Sequence, residues 1–304
     1  FLLRRSHMRV FVTGGTGLLG KALLSLTPPE FETVATYFGE VTLGQSATPF
    51  HHLDVRDADA VARLFDQVRP EVVIHAASIG SVDYAERHRE EAWAVNVGGT
   101  RNVAASSRRH AAKLVFISSN AVFDGEQPLY AEDDAVCPIN YYGRLKVEGE
   151  RVVQEDSNKT AIVRPILMYG WPNPGERGNL VTFWLDKFEK GESIQAVDDV
   201  WSKPLQVESC AEVCWAVVTQ GRVGTYHVAG ADHVTLYQFA RKVAEVFGSD
   251  PGLVTPVPGS FFTQLAPRPA DTSFVTDKMG RELGVRPIGL AEGLATMEAR
   301  RHHV

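Results

Sequence analysis

A doubly wound α/β fold, with a parallel sheet and a smaller C-terminal lobe, is the architecture predicted by this sequence. Three observations carry the prediction. The chain opens on an apolar run followed by the glycine turn Gly14-Gly-Thr-Gly17-Leu-Leu-Gly20. Short apolar runs then alternate with helical stretches as far as Pro165, and Pro/Gly-rich chain follows. Such alternation implies parallel strands joined by right-handed crossovers, with helices on both faces.

Residues 9–13 read as the first strand and 18–26 as a helix. Strand, tight turn and helix are the context in which a glycine-rich turn binds a dinucleotide, a Rossmann-type arrangement. Further strands are predicted at 33–37, 72–75, 114–117 and 161–163, and helices at 58–68, 85–110 and 141–155. Residues 169–179 hold two prolines and three glycines, which is loop chemistry. Beyond them come an amphipathic stretch at 183–190, a helix near 207–219 and a strand at 225–228 able to return to the main sheet. A helix at 236–247 and a Pro-rich segment over 251–269 complete the chain. Residues 8–165 are therefore expected to form a dinucleotide-binding domain and 166–304 a substrate-binding lobe. Residues 1–7, with their Ser-His-Met junction, read as an expression-tag remnant.

The 304 residues suffice for a substantial core, and 44% hydrophobic with 22% charged content is ordinary for a globular protein. A net charge of -6 without a basic stripe excludes a nucleic-acid binder. No apolar run approaches the roughly 20 residues that span a bilayer, so no membrane association is expected. Three cysteines (Cys137, Cys210 and Cys214) give no disulfide framework and suit a cytoplasmic location. Cys210 and Cys214 share a helix face, but no second pair of ligands completes a zinc site, and no metal is expected.

At the cofactor end, Gly14 permits the turn off the strand, Gly17 lets the backbone approach a pyrophosphate, and Gly20 lets the helix pack closely. Thr16, Leu18 and Leu19 present the N–H groups of a helix start to the phosphates. The second strand ends Ala35-Thr36-Tyr37-Phe38 with no acid before Glu40 and no nearby Arg or Lys. The missing carboxylate favours NADP over NAD. Asp54 and Val55 follow the third strand, where Asp54 is placed for an adenine amino group or for a turn. Ala76, Ala77 and Ser78 end the fourth strand with small side chains, against which a cofactor can lie flat. Asn96 is expected to hold a helix backbone or an active-site water.

At the catalytic end, Tyr142 and Lys146 lie one helical turn apart on one face. A phenol of pKa about 10 becomes a proton donor near neutrality if an ammonium beside it favours the phenolate. Ser119 ends the fifth strand, where its hydroxyl polarises a carbonyl. Tyr141 lies off the Lys146 face. A surface-helix reading of Tyr142/Lys146 competes for any isolated pair, but not behind Lys113-Leu-Val-Phe-Ile-Ser-Ser119 and the glycine turn.

These motifs, with Pro70-Glu-Val-Val-Ile-His-Ala-Ala77, Val82-Asp-Tyr-Ala-Glu86, Val122-Phe-Asp-Gly125 and Arg268-Pro-Ala-Asp-Thr-Ser273, resemble the extended short-chain dehydrogenase/reductase family over residues 8 to about 283. The branch they look like is that of the dTDP-4-dehydrorhamnose reductases. The resemblance implies a cytoplasmic NAD(P)-dependent oxidoreductase of a nucleotide sugar, with a homodimer left open. Ser119, Tyr142 and Lys146 fall on the family's catalytic positions, and Asn120, Trp171 and Arg268 on the substrate side. The chain departs from the branch at Asn120-Ala121, Tyr84, Leu167-Met168 and Trp171, which leaves the sugar open. Asn120-Ala121 also lack the acid pair of a 4,6-dehydratase. A nucleotide-sugar epimerase with tightly held NAD remains an alternative. So does a non-catalytic regulatory subunit like that of methionine adenosyltransferase.

Overall fold

The computed structural model describes residues 7–39, 48–127, 129–173, 175–263 and 266–301. Side-chain alternation builds the centre of the molecule. In β1 (Met8–Thr13), Val10 and Val12 face one layer of the core while Phe11 faces the other, as period-two geometry requires. The remaining central strands are β2 (Phe31–Tyr37), β3 (Phe50–His52), β4 (Val72–His75), β5 (Lys113–Ile117), β6 (Thr160–Pro165) and β7 (Gly224–Val228). They form one seven-stranded sheet in the order β7-β6-β5-β4-β1-β2-β3, with every pairing parallel. β4 and β6 are buried along their whole length, as strands covered on both faces must be.

Helices α1 (Leu18–Ser25), α2 (Ala58–Val68), α3 (Thr100–Arg109), α4 (Tyr141–Gln154), α5 (Leu180–Glu189), α6 (Val207–Thr219), α7 (Leu236–Val246) and α8 (Leu290–Ala299) surround it. Leu19 and Leu23 of α1 share a core with Val213 and Trp215 of α6 against Val10, Ile74 and Val115. Phe65 of α2 and Val103 of α3 cover the opposite face with Phe11 and Phe116. Strand order reverses between β1 and β4, which opens a crevice at the carboxyl ends of those strands. Every candidate catalytic group sits along that edge.

A second core holds Trp184 of α5, Phe239 and Val243 of α7, and Leu294 of α8, around the strands Ile194–Val197 and Val254–Val257. This is the smaller lobe. The chain does not stay in it after residue 165: α6 packs in the sheet's core and β7 pairs with β6. The sequence boundary at 166 therefore marks only the first exit from the sheet.

The stretch expected as one helix over 85–110 is broken. It comprises Val82–Arg87, Arg89–Trp93, a π-helical turn over Ala94–Gly99 and α3. His88 leaves helical geometry at φ -119 and ψ 57. At the π-turn the backbone lies against Val55, where a Cβ on Gly99 would come within 2.5 Å of a Val55 methyl. A widened turn there also aims Asn96 at the cofactor edge. Among the described residues no helix is long and apolar enough to cross a membrane.

Candidate active site

The glycine turn divides into residues that the protein itself demands and one that it does not. Gly14 has φ +71, and a Cβ there would lie 2.8 Å from the Ala77 nitrogen. On Gly20 a Cβ would lie 2.2 Å from the Gly14 carbonyl, so Gly20 clears the turn itself. Gly15, which pattern reading passed over, abuts Ala35 at 2.7 Å in the same sense. A Cβ on Gly17 would meet only the Gly14 oxygen, at an ordinary 3.5 Å. Gly17 is also the N-cap of α1 and offers no side chain to its first N–H groups. Open space before an uncapped helix start is where a dinucleotide's phosphates bind, so the residues present fit such a cofactor. Leu19 is buried in the core, so only its backbone faces the turn.

The floor of the crevice is fixed by a chain of hydrogen bonds through a buried histidine. His75 bridges Thr13 Oγ1 (2.7 Å) and Thr100 Oγ1 (3.1 Å), and Thr100 donates to the Asn96 carbonyl at 2.7 Å. Burial pushes its pKa down to about 3, so the ring stays neutral. The Thr13 hydroxyl also accepts from the Ala77 amide at 3.2 Å. Asn96 clamps the backbone of Ile79 in both directions, accepting its N–H at 2.7 Å and donating to its carbonyl at 3.1 Å. Residues 76–79 are thus held flat.

Ser119, Tyr142 and Lys146 come together beside this floor, all buried. Of the adjacent serines, Ser118 faces away and donates to Glu150, which Arg164 grips through two nitrogens at 2.8 and 2.7 Å. Ser119 instead caps the 3-10 turn Asn120–Val122, accepting from the Ala121 amide at 3.1 Å and donating to Asn120 Oδ1 at 3.3 Å, and its hydroxyl lies near enough to the Tyr142 phenol to favour the phenolate. Asn140 caps α4 through the Gly143 amide at 2.8 Å, which sets Tyr142 in its first turn. Tyr141 points elsewhere, donating to the Arg89 carbonyl at 3.2 Å.

The expectation that Lys146 makes the phenol acidic requires correction. Lys146 Nζ donates to the Ile117 carbonyl at 2.9 Å and to Ser78 Oγ at 3.3 Å, and stands 5.7 Å from the Tyr142 ring centre. Burial pushes the phenol up to about 12, opposed by the nearby Ser119 hydroxyl and the field of Arg177. Desolvation also drives Lys146 down to about 8, against Glu150 one turn on. The phenol is therefore held protonated, as a proton donor must be. Lys146 has a measurable signature in the cofactor-free protein. Between about pH 8 and 10.5 the unfolded chain keeps a proton that folded Lys146 has released, so stability gains with rising pH. The wild-type minus Lys146→Met difference in unfolding free energy should climb by up to about 1.4 kcal/mol per pH unit there. Urea titrations across that range measure it, and parallel curves would mean the ammonium is not desolvated.

The structure gives each of the substrate-side candidates its own contacts. Asn120 donates to Thr272, and Arg268 pairs with Asp83 at 3.1 Å. Trp171 donates its indole N–H to the Met297 carbonyl at 2.7 Å, packing within the smaller lobe and leaving only ring faces for a ligand. Tyr84 donates to Glu91 at 2.7 Å. Sequence reading missed the strap over the glycine turn. Asn173 donates to the Thr16 carbonyl at 2.8 Å and Lys21 to the Pro172 carbonyl at 3.2 Å, so the loop expected at 169–179 lies across the start of α1. Arg177 in that loop is exposed, yet its field reaches Tyr142.

Asp54 lies beyond β3, and its carboxylate is engaged by Arg56: Nε reaches both oxygens at 2.9 Å and Nη2 reaches Oδ2 at 2.6 Å. That pairing holds Asp54 below the usual carboxylate range. Val55 is buried, and its carbonyl accepts from Asn102 at 2.9 Å. The expectation of no Arg near the end of β2 is corrected by Arg56, whose guanidinium lies 5.4 Å from the Phe38 ring centre. Glu40 lies outside the described residues.

A family model described as the RmlD substrate binding domain matches residues 8–302. The chain belongs to this family. Its fold superposes on a dTDP-4-dehydrorhamnose reductase from Bacillus anthracis, solved in complex with NADP, with a TM-score of 0.85 and 31% identity over 96% of this chain and 99% of that one. A second reductase of that name, from Clostridium acetobutylicum, gives 0.84 and 27% over 95% and 98%. Among curated proteins, a dTDP-4-keto-6-deoxy-D-glucose reductase of Streptomyces niveus is 33% identical over 282 residues, 92% of either chain. The methionine adenosyltransferase 2 subunit beta of Rattus norvegicus is 30% identical over 83% of this chain and 76% of its own. Membership of the RmlD family establishes the resemblance read from the motifs, with its α/β fold.

Proposed function

We propose that this RmlD-family chain is an NAD(P)H-dependent reductase of a nucleotide-linked 4-keto-6-deoxy sugar, with NADPH the preferred cofactor. One observation carries the reading: a buried, protonated Tyr142 phenol, beside Ser119 and with Lys146 Nζ 5.7 Å from its ring centre, faces the same sheet edge as a glycine turn with open space at Gly17. A bound reduced nicotinamide supplies the hydride. Tyr142 gives its phenolic proton to the alkoxide oxygen forming at the sugar carbonyl. Ser119 hydrogen-bonds that oxygen and keeps it within reach of the phenol. Lys146, anchored on Ser78 and Ile117 beside the phenol, would hold the ribose of the bound nicotinamide. The named reductase relatives support the reaction class.

Residues 8–165 bind the dinucleotide in this reading, and Asn120, Trp171 and Arg268 contact the sugar nucleotide. Because Asp83 offsets the charge of Arg268, the exposed guanidinium of Arg177, which has no carboxylate partner among the described residues, is the better anchor for a diphosphate. Oxidation of NADPH, followed optically with a dTDP-4-keto-6-deoxy sugar, tests the assignment. Turnover with formation of the reduced sugar is expected. Identity to the methionine adenosyltransferase subunit favours a second, regulatory reading. It predicts tight cofactor binding without NADPH consumption by any keto sugar nucleotide.

A further inference from the structure

We infer that Arg56 is the residue that receives the 2′-phosphate of NADP, held ready by Asp54, and so sets the choice between the two nicotinamide cofactors. The inference deepens the proposed function and rests on its dinucleotide site. When a dinucleotide binds at the turn after β1, its adenosine ribose lies over the carboxyl end of the neighbouring strand. Here that strand is β2, paired in parallel with β1. It ends at Tyr37 and is followed by Phe38, so among its described residues the end of β2 itself brings no carboxylate to the ribose.

β3 supplies what β2 lacks. It pairs with β2 so that His52 lies opposite Tyr37, and the turn after it returns Arg56 to the face of Phe38. That ring is 58% exposed, so a flat apolar surface underlies the guanidinium at the mouth of the cofactor edge. The hydrogen bonds to Asp54 use the Nε and Nη2 side of Arg56. A guanidinium carries five N–H donors in a rigid fork. Its Nη1 and remaining Nη2 hydrogens have no partner among the described residues and the side chain is 37% exposed, which leaves an edge matched to two oxygens of a phosphate. Asp54 thus acts as a positioning residue, ordering the guanidinium before the ligand arrives.

Local charge limits the size of the effect. Asp54 offsets Arg56, and Glu91 also lies within its field. The site is therefore no broad positive patch that repels nothing and holds any anion; discrimination depends on one oriented fork. A bidentate charge-assisted contact of this kind corresponds to about tenfold to hundredfold in affinity.

The test uses the full chain without sugar and reads binding, not turnover. Calorimetric titrations with adenosine 2′,5′-bisphosphate and with 5′-AMP compare wild type, Arg56→Gln and Arg56→Lys. Arg56→Gln should weaken the bisphosphate about tenfold to hundredfold and 5′-AMP less than about threefold, abolishing the preference. Arg56→Lys should keep part of it, having the charge without the fork. Equal weakening of both nucleotides, or an unchanged preference in Arg56→Gln, overturns the inference. Failure of wild type to bind either nucleotide overturns it together with the dinucleotide site. A chain that discriminates the two probes yet reduces no keto sugar would leave Arg56 in place while sinking the reductase reading.

Discussion

Tyr142→Phe should lower turnover of a 4-keto sugar nucleotide at least about a hundredfold while leaving cofactor affinity nearly unchanged. The ring stays, so its packing beside Leu145 and Val97 is kept. The lost atom is the hydroxyl beside Ser119, and even a full hydrogen bond contributes only about 1 kcal/mol to stability. Folding should therefore survive, and thermal unfolding checks that it does. What disappears is the proton donor. Steady-state NADPH oxidation measures the effect, and near-wild-type kcat/KM in the variant would remove Tyr142 from the chemistry.

Gly17→Val should abolish dinucleotide binding and leave the sheet intact. Gly17 has φ -67, a conformation open to any residue, and its Cβ direction is unobstructed by the protein. Gly14 and Gly20 differ, because side chains there would strike the turn's own backbone. A substitution tolerated by the fold but lethal to binding isolates the ligand's requirement for space. Fluorescence titration with NADPH reads the outcome, beside a circular dichroism spectrum that should match wild type. Unchanged titration would displace the phosphates from the helix start.

Much of this edge was legible in the sequence because its signals are local. The glycine turn, its flanking strand and helix, and the shared face of Tyr142 and Lys146 depend on spacings of a few residues. Ser119 was placed by the end of the fifth strand and by the family's motif, and the neighbouring Ser118 lies on the Glu150 side. The broken helix at 82–109 was not legible, since its π-turn answers to Val55 and Ile79 from other segments. Nor was the strap from Asn173 to Thr16, which joins residues 157 positions apart.

By itself the sequence determined the α/β alternation, the dinucleotide turn and which side chains are candidates for the chemistry, because periodicity and turn chemistry act over short separations. Only the tertiary structure decided where their charges lie. Burial, not the lysine, governs the Tyr142 phenol, and a loop after β3 brings Arg56 to the end of β2. Desolvation and the approach of distant segments are properties of the packed chain, and no local pattern encodes them.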